Sequence, residues 1–301
     1  MQKFGEIKQS AAAIGIFDGV HLGHATLIKE TVLKARSLGA PAIAITFNQH
    51  PESVLYGQNV RVLTTNEEKE LLLKEAGADM VFCLPFTKAV SQMDATEFMQ
   101  IMQVTLGVKE LIIGHDFALG QGRKGNYEAL KKLGQQTGFN VTKVPPVQIN
   151  GQTVSSTNIR MDLAENELIK ATSLLGHNYM VLGKVVEGAK RGRLWGFPTA
   201  NINVPLLKLL PKGGVYAVKV TVEKTIYDGV LNIGYRPTFD ASAKTFEVHL
   251  LNFNGNLYGK ELRTDIISFI RNEIRFENVE QLAIQIQEDV QKAHTILKET
   301  R

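Results

Sequence analysis

One cysteine, Cys83, stands in a chain of 301 residues, so no disulfide can close within it. It lies in the apolar run 80–84, which predicts a buried and inert thiol. No stretch approaches the roughly 18 consecutive apolar residues of a membrane-spanning helix. The opening Met-Gln-Lys-Phe-Gly-Glu lacks the apolar core of a signal peptide. Charge of one sign is missing too. Residues 1–160 carry 16 basic and 14 acidic side chains, and residues 161–301 carry 18 and 16, giving a net charge of +4. Neither part attracts nucleic acid by bulk charge, so any bound phosphate must be held locally. The expectation is a cytoplasmic protein, a monomer or weak homo-oligomer, with no nucleic-acid partner and no membrane partner.

What is present is ordinary globular composition, 44% hydrophobic and 21% charged, at a length that suits two domains. Short apolar runs at 11–17, 41–47, 80–84, 110–113 and 140–144 alternate with helical patterns at 24–38, 65–76 and 126–137 and one opening at 94–97. Thr65 with Glu68 reads as a capping box, and Asp94 opens a further helix. Alternation of this kind predicts an α/β, Rossmann-like parallel sheet covered on both faces, with ligands at the carboxyl ends of its strands. After Arg160 the pattern changes. A helix over 161–175 leads into runs at 179–186, 215–222, 226–233, 245–253 and 262–270, broken by Gly, Asn, Asp and Pro. Such strands predict a small antiparallel barrel or sandwich, closed by an amphipathic helix over 277–298 with Val279, Leu282, Ile286, Val290 and Ile296 on its apolar side. The expected domains are 1–175 and 176–301.

Phe17-Asp18-Gly19-Val20-His21-Leu22-Gly23-His24 follows the first expected strand and matches the H-x-G-H pattern of nucleotidyltransferases. Free amides where a strand turns into a helix bind phosphate, and two imidazoles there can donate to a phosphate gathering charge. The plainer alternative is a pair of structural histidines at a helix start. A metal site lacks acidic or histidine partners at ligand spacing. Ser155-Ser156-Thr157-Asn158-Ile159-Arg160 offers hydroxyls, amides and a guanidinium for departing phosphates, or simply an N-cap and a surface arginine. The glycine-rich segment 114–125 places Asp116, Phe117 and Arg123 in one loop, suited to a second, aromatic, phosphate-bearing substrate, or else a mobile surface loop.

Segment 183–201 fits neither the P-loop nor the protein-kinase glycine pattern. Its amides, with Gly188 and Arg193 as candidate nucleotide contacts, can wrap phosphates, or it is a solvated basic hairpin. Thr199 and Asn201 supply neutral oxygens suited to Mg²⁺ that keeps its waters and nucleotide oxygens. Glu247, in the alternating run 246–250, is either an inward base or a solvated side chain.

Taken together these segments are specific. Residues 14–160 resemble the FMN adenylyltransferase module of bacterial bifunctional riboflavin kinase/FAD synthetases, through the H-x-G-H segment, Thr46-Phe47 with His50-Pro51, the 116–125 loop, and Ser155-Ser156-Thr157 with Ile159-Arg160. Gly196-Phe197-Pro198-Thr199-Ala200-Asn201 resembles the signature of the riboflavin kinase family. It is followed in the family's order by Asn232-Ile233-Gly234, Arg236-Pro237-Thr238-Phe239, Glu247-Val248-His249-Leu250 and Leu257-Tyr258-Gly259-Lys260. Departures are Gln49, Leu119, Asn158, Asn272 and Ile274. The resemblance implies a nucleotidyltransferase domain joined to a mainly antiparallel β-barrel kinase domain with a C-terminal helix. It also implies a chain that phosphorylates riboflavin to FMN and adenylylates FMN to FAD, with ATP as co-substrate and Mg²⁺ as cofactor. By the same resemblance His21, His24 and Arg160 act in adenylyl transfer and Glu247 in phosphorylation. Phe17, Asp18, Gly19, Gly23, Asp116, Phe117, Arg123, Ser156 and Thr157 would bind the first site's substrates. Gly188, Arg193, Thr199 and Asn201 would bind those of the second, with Thr199 and Asn201 at the metal. Only the adenylyltransferase being functional, or a non-catalytic flavin or nucleotide sensor, are the other readings.

Overall fold

A computed structural model describes residues 7–188, 197–235 and 244–299. The packing divides the chain into two compact units, Met1–Ser156 and Thr157–Arg301. This division falls one residue into the first of the two helices that follow Ser155, whereas composition drew it at 175/176.

The first unit runs β1 Ser10–Ile14, α1 Leu22–Leu38, β2 Ala42–Phe47, α2 Pro51–Tyr56, α3 Asn66–Glu75, β3 Met80–Leu84, α4 Lys88–Gln92, α5 Ala95–Leu106, β4 Val108–Gly114, α6 Tyr127–Thr137 and β5 Asn140–Val144, then a short hairpin of β6 Gln148–Ile149 and β7 Gln152–Thr153. The sheet is parallel in the order β3-β2-β1-β4-β5. Every residue of β1 and β2 is buried, as strands covered on both faces must be. Helix α5 closes one face with Phe98, Met99, Met102 and Leu106, one helical stripe. Helix starts follow local chemistry. Thr65 and Glu68 form the capping box expected, Asp94 caps α5 and Asn126 caps α6. Sheet order reverses at central β1, so the segments after β1 and β4 flank the topological switch point.

Three expectations change here. The strand expected over 11–17 ends at Ile14, because Phe17 and Val20 take left-handed backbone angles (φ 53° and 41°) that no strand contains. Helix α1 starts at Leu22, ahead of His24, because His21 supplies an unusual cap. Cys83 is exposed, since β3 is an edge strand and its pleat turns that side chain outward.

The second compact unit takes in all but the first residue of α7 Ser156–Ala164, then α8 Leu168–Leu175. The single helix expected over 161–175 is two, broken where Asn166 adopts φ 67°. Next come β8 Tyr179–Val186, β9 Ala200–Asn203, β10 Gly214–Val222, β11 Thr225–Tyr235, β12 Lys244–Leu250, β13 Glu261–Arg271 and α9 Val279–Glu299. The six strands close a barrel in the order β10-β11-β12-β9-β8-β13. Closure leaves no sheet edge, and the last helix covers part of the outer wall. Ala293 and Leu297 of α9, with Val290 and Ile296, pack on Val215, Ala217 and Val230. Val279, expected on this side, is 45% exposed.

Candidate active sites

The turn after β1 is strained and held in place. Left-handed Phe17 and Val20 each cost of order 1–3 kcal/mol. Full burial of the Phe17 ring returns about as much as one of them costs. The rest comes from Asp18. Its buried carboxylate accepts from the backbone N–H of Leu63 (2.8 Å) and Thr64 (3.1 Å), just before α3. The Asp18 carbonyl accepts from Ser156 Oγ at 2.8 Å, and Gly19 N–H donates to Thr64 Oγ1 at 3.0 Å. Asp18→Ala orphans two buried N–H groups and should destabilise this unit by about 2–4 kcal/mol, read from the midpoint of its denaturant unfolding.

That turn delivers His21 to the start of α1, where its Nδ1 accepts the His24 N–H at 3.3 Å. An accepting Nδ1 carries no proton, so the neutral ring bears its hydrogen on Nε2. Gly23 makes room, since a Cβ there would lie 3.1–3.2 Å from the His21 ring. His24 stacks on His21 with centroids 3.7 Å apart, and the Phe17 ring meets it edge-on at 5.1 Å. Burial, then the neighbouring His21, then Lys69 push the His24 pKa well below its usual value, so it is neutral at pH 7. Its Nδ1 is buried without a hydrogen-bond partner among the described residues, which leaves Nε2 to meet a ligand. The structure thus brings Phe17, Asp18, Gly19, His21, Gly23, His24 and Ser156 together.

The loop after β4 is ordered by its own contacts. Leu119 and Gly125 exchange backbone bonds at 3.0 and 2.9 Å, and Arg123 donates to the Asp116 carbonyl at 2.6 Å. Phe117 packs on the sheet's core, while Asp116 and Arg123 are exposed at the loop's surface together with His115, Gln121 and Lys124. Thr157 is exposed on α7, and half-buried Arg160 lies one turn beyond Ser156 on the same helix.

On the barrel, strand register builds a second constellation. Glu247 of β12 pairs with Asn201 of β9 on one side and Asn232 of β11 on the other. Directly opposed residues share a face, so the three side chains form one row. Phe246 and Val248 on either side of Glu247 are buried in the core, which turns Glu247 outward. Thr199 is exposed immediately before β9, two residues ahead of Asn201. Gly188 abuts the Asn201 amide so closely that any Cβ would collide with it. Gly188→Ala must therefore push Asn201 aside, at an overpacking cost of about 1–3 kcal/mol that the midpoint of denaturant unfolding should register. Arg193 and the 236–239 run lie outside the described residues.

Two anchors went unread in the sequence. His249 Nδ1–H donates to the Pro198 carbonyl at 2.8 Å, and its ring meets Phe197 edge-on, tying the Phe-Pro segment to β12. Arg271 grips buried Asp289 of α9 through Nε (2.8 Å) and Nη2 (2.7 Å), donates to the Asn272 carbonyl and lies 5.9 Å from the Phe276 ring. The loop after β13 is pinned by this fork, and its Glu273 carboxylate reaches over Gly234 beside Asn232 and Thr245. Among the described residues no group of three His, Cys, Asp or Glu side chains is placed to hold a metal.

Comparison with known proteins follows the same division. A profile of FAD synthetase matches residues 4–158 and one of riboflavin kinase matches residues 175–297. A bifunctional riboflavin kinase/FMN adenylyltransferase of Haemophilus influenzae is 38% identical over 286 residues, covering 94% of this chain and 92% of that protein. Its namesake in Escherichia coli is 39% identical over 281 residues, covering 92% and 89%. A crystal structure described as a macrolide-efflux protein from Streptococcus pneumoniae superposes with a TM-score of 0.86 at 30% identity, covering 97% of this chain and 96% of that one. Among the described residues here, no helix is long and apolar enough to cross a membrane. The chain belongs to the family of bifunctional riboflavin kinase/FMN adenylyltransferases.

Proposed function

We propose that the two activities of this family reside in separate units of this chain. The barrel makes FMN from riboflavin and ATP, and the parallel-sheet unit makes FAD and pyrophosphate from FMN and a second ATP. The observation that carries the reading is the stacked histidine pair at the start of α1, with His21 capping the helix through Nδ1 and His24 held neutral beside it.

In adenylyl transfer an FMN phosphate oxygen attacks the α-phosphorus of ATP, and the bond to pyrophosphate breaks. No covalent enzyme intermediate is needed, because the nucleophile is already anionic. His21 and His24 donate to the α-phosphate oxygens as charge gathers on them. Ser156, held against the Asp18 carbonyl at the end of the same unit, meets the departing pyrophosphate. Asp116, Phe117 and Arg123 line the flavin side.

In phosphorylation Glu247 takes the proton of the ribityl hydroxyl as its oxygen attacks the γ-phosphorus, and ADP leaves. Asn232 shares Glu247's row and orients the hydroxyl. Thr199 and Asn201 offer neutral oxygens that suit a hard cation keeping most of its waters. Mg²⁺ held there with ATP would offset the charge of the transferring phosphoryl group. Gly188 and Arg193 complete the nucleotide side.

Purified protein incubated with riboflavin plus ATP, and separately with FMN plus ATP, tests the reading once the flavins are separated. FMN and then FAD are expected in the first tube, and FAD with pyrophosphate in the second. Riboflavin left unchanged while FMN becomes FAD would remove the kinase assignments and leave an adenylyltransferase alone. Flavin bound but unchanged in both would make the chain a sensor.

A further inference from the structure

Lys69 reads in the sequence as one charge among Glu67, Glu68 and Glu70 on an exposed helix, yet it is buried beneath the first site. From α3 its Nζ reaches the carbonyl of Phe47 at 2.8 Å, the carbonyl of Ile16 at 3.3 Å and Thr46 Oγ1 at 3.3 Å. Thr46 Oγ1 gives its own hydrogen to the Ile16 carbonyl at 3.0 Å, so toward Lys69 it can only accept. Three acceptors require three hydrogens, and only the ammonium form has them. A full positive charge is thus fixed where β1 and β2 part, one residue before the strained turn that carries Asp18 and leads to His21.

We infer that Lys69 is a positioning residue for adenylyl transfer: it ties the carboxyl ends of β1 and β2 together just before the turn that delivers the histidine pair. This rests on the reading of His24 as a donor to the α-phosphate. The charged or titratable groups bearing on His24 are His21 from the start of its own helix and Lys69 from α3, while Asp18 and Cys83 bear on Lys69. Lys69 opposes protonation of His24, and so does burial. The sign follows directly. Removing the charge raises the His24 pKa, and the neutral donor is then lost at higher pH. A lysine that served only to fill the core would move the melting temperature and leave the pH profile alone.

The test compares Lys69→Met, Lys69→Gln and Lys69→Arg in the full chain, measuring initial rates of FAD formation from FMN and ATP from about pH 5 to pH 8. Riboflavin phosphorylation by the same preparations serves as the internal control. The two neutral variants should lose roughly 10- to 100-fold in kcat, the scale of a misplaced catalytic group, with KM changed less than about threefold. Their acid limb should move to higher pH, while Lys69→Arg keeps the wild-type limb because it keeps the charge. Lys69→Gln retains two N–H donors for the carbonyls and carries the test if Lys69→Met does not fold. A folded neutral variant with the wild-type acid limb and kcat would overturn the inference. His24→Ala in the same assay separates the failures: if it stays active, the reading of the histidine pair has failed, and Lys69 with it.

Discussion

His24→Ala should slow FAD formation from FMN by about two to three orders of magnitude and leave riboflavin phosphorylation within about twofold of wild type. The size follows from the loss of one preorganised donor to a phosphate gathering charge in a low-dielectric site. His21 is committed by its Nδ1 to capping α1, so its ring cannot swing across without breaking that bond. The donor is the neutral imidazole, because burial and the two neighbouring basic groups hold the His24 pKa well below the usual 6.5. Wild-type adenylylation should accordingly hold its plateau as pH falls through the range where an exposed histidine titrates, and decline only at lower pH. Stability follows the same sign. The unfolded chain binds this proton near pH 6.5 and the folded chain does not, so that contribution is lost progressively below this value. A wild-type acid limb centred on an ordinary histidine pKa would contradict the geometry.

Glu247→Gln should do the reverse, lowering FMN formation by about two to four orders of magnitude, the range for a lost general base, with FAD formation from supplied FMN unchanged. Glutamine keeps the volume and the place in the row between Asn201 and Asn232, so binding of ATP and flavin should persist and the loss should fall on kcat. Glu247 faces out from the barrel core, and its replacement should therefore cost little stability. A rise in KM with kcat preserved would make Glu247 a binding group.

Both sites lie where local chemistry meets long-range packing, and this decides what could be read from sequence. The caps at Thr65 and Asp94 were legible because Ser, Thr, Asp and Asn bond to amides two or three residues ahead. His21 is a cap too, but histidine is not a residue that announces one, so α1 was placed too late. β1 and β2 stood out as apolar runs. β9, four residues of alternating Ala-Asn-Ile-Asn, was too short to separate from the preceding Phe-Pro turn. Glu247 stood among the expected groups, but the face it occupies depends on register with β9 and β11, which no local pattern contains. Lys69 lay hidden in a charge run because its partners Ile16 and Phe47 are 53 and 22 residues away. Arg271 and Asp289 are likewise joined by tertiary packing alone.

Two independent sites on one chain should be joined only by the FMN that the barrel makes and the parallel-sheet unit consumes. Mixing His24→Ala with Glu247→Gln in one tube, with riboflavin and ATP, tests it most directly. Alone, the first variant should stop at FMN and the second should leave riboflavin unchanged. Together they should make FAD, as FMN released by one is adenylylated by the other. A mixture that accumulates FMN and forms no FAD, although Glu247→Gln converts added FMN, would contradict the account, as would either variant losing both activities equally.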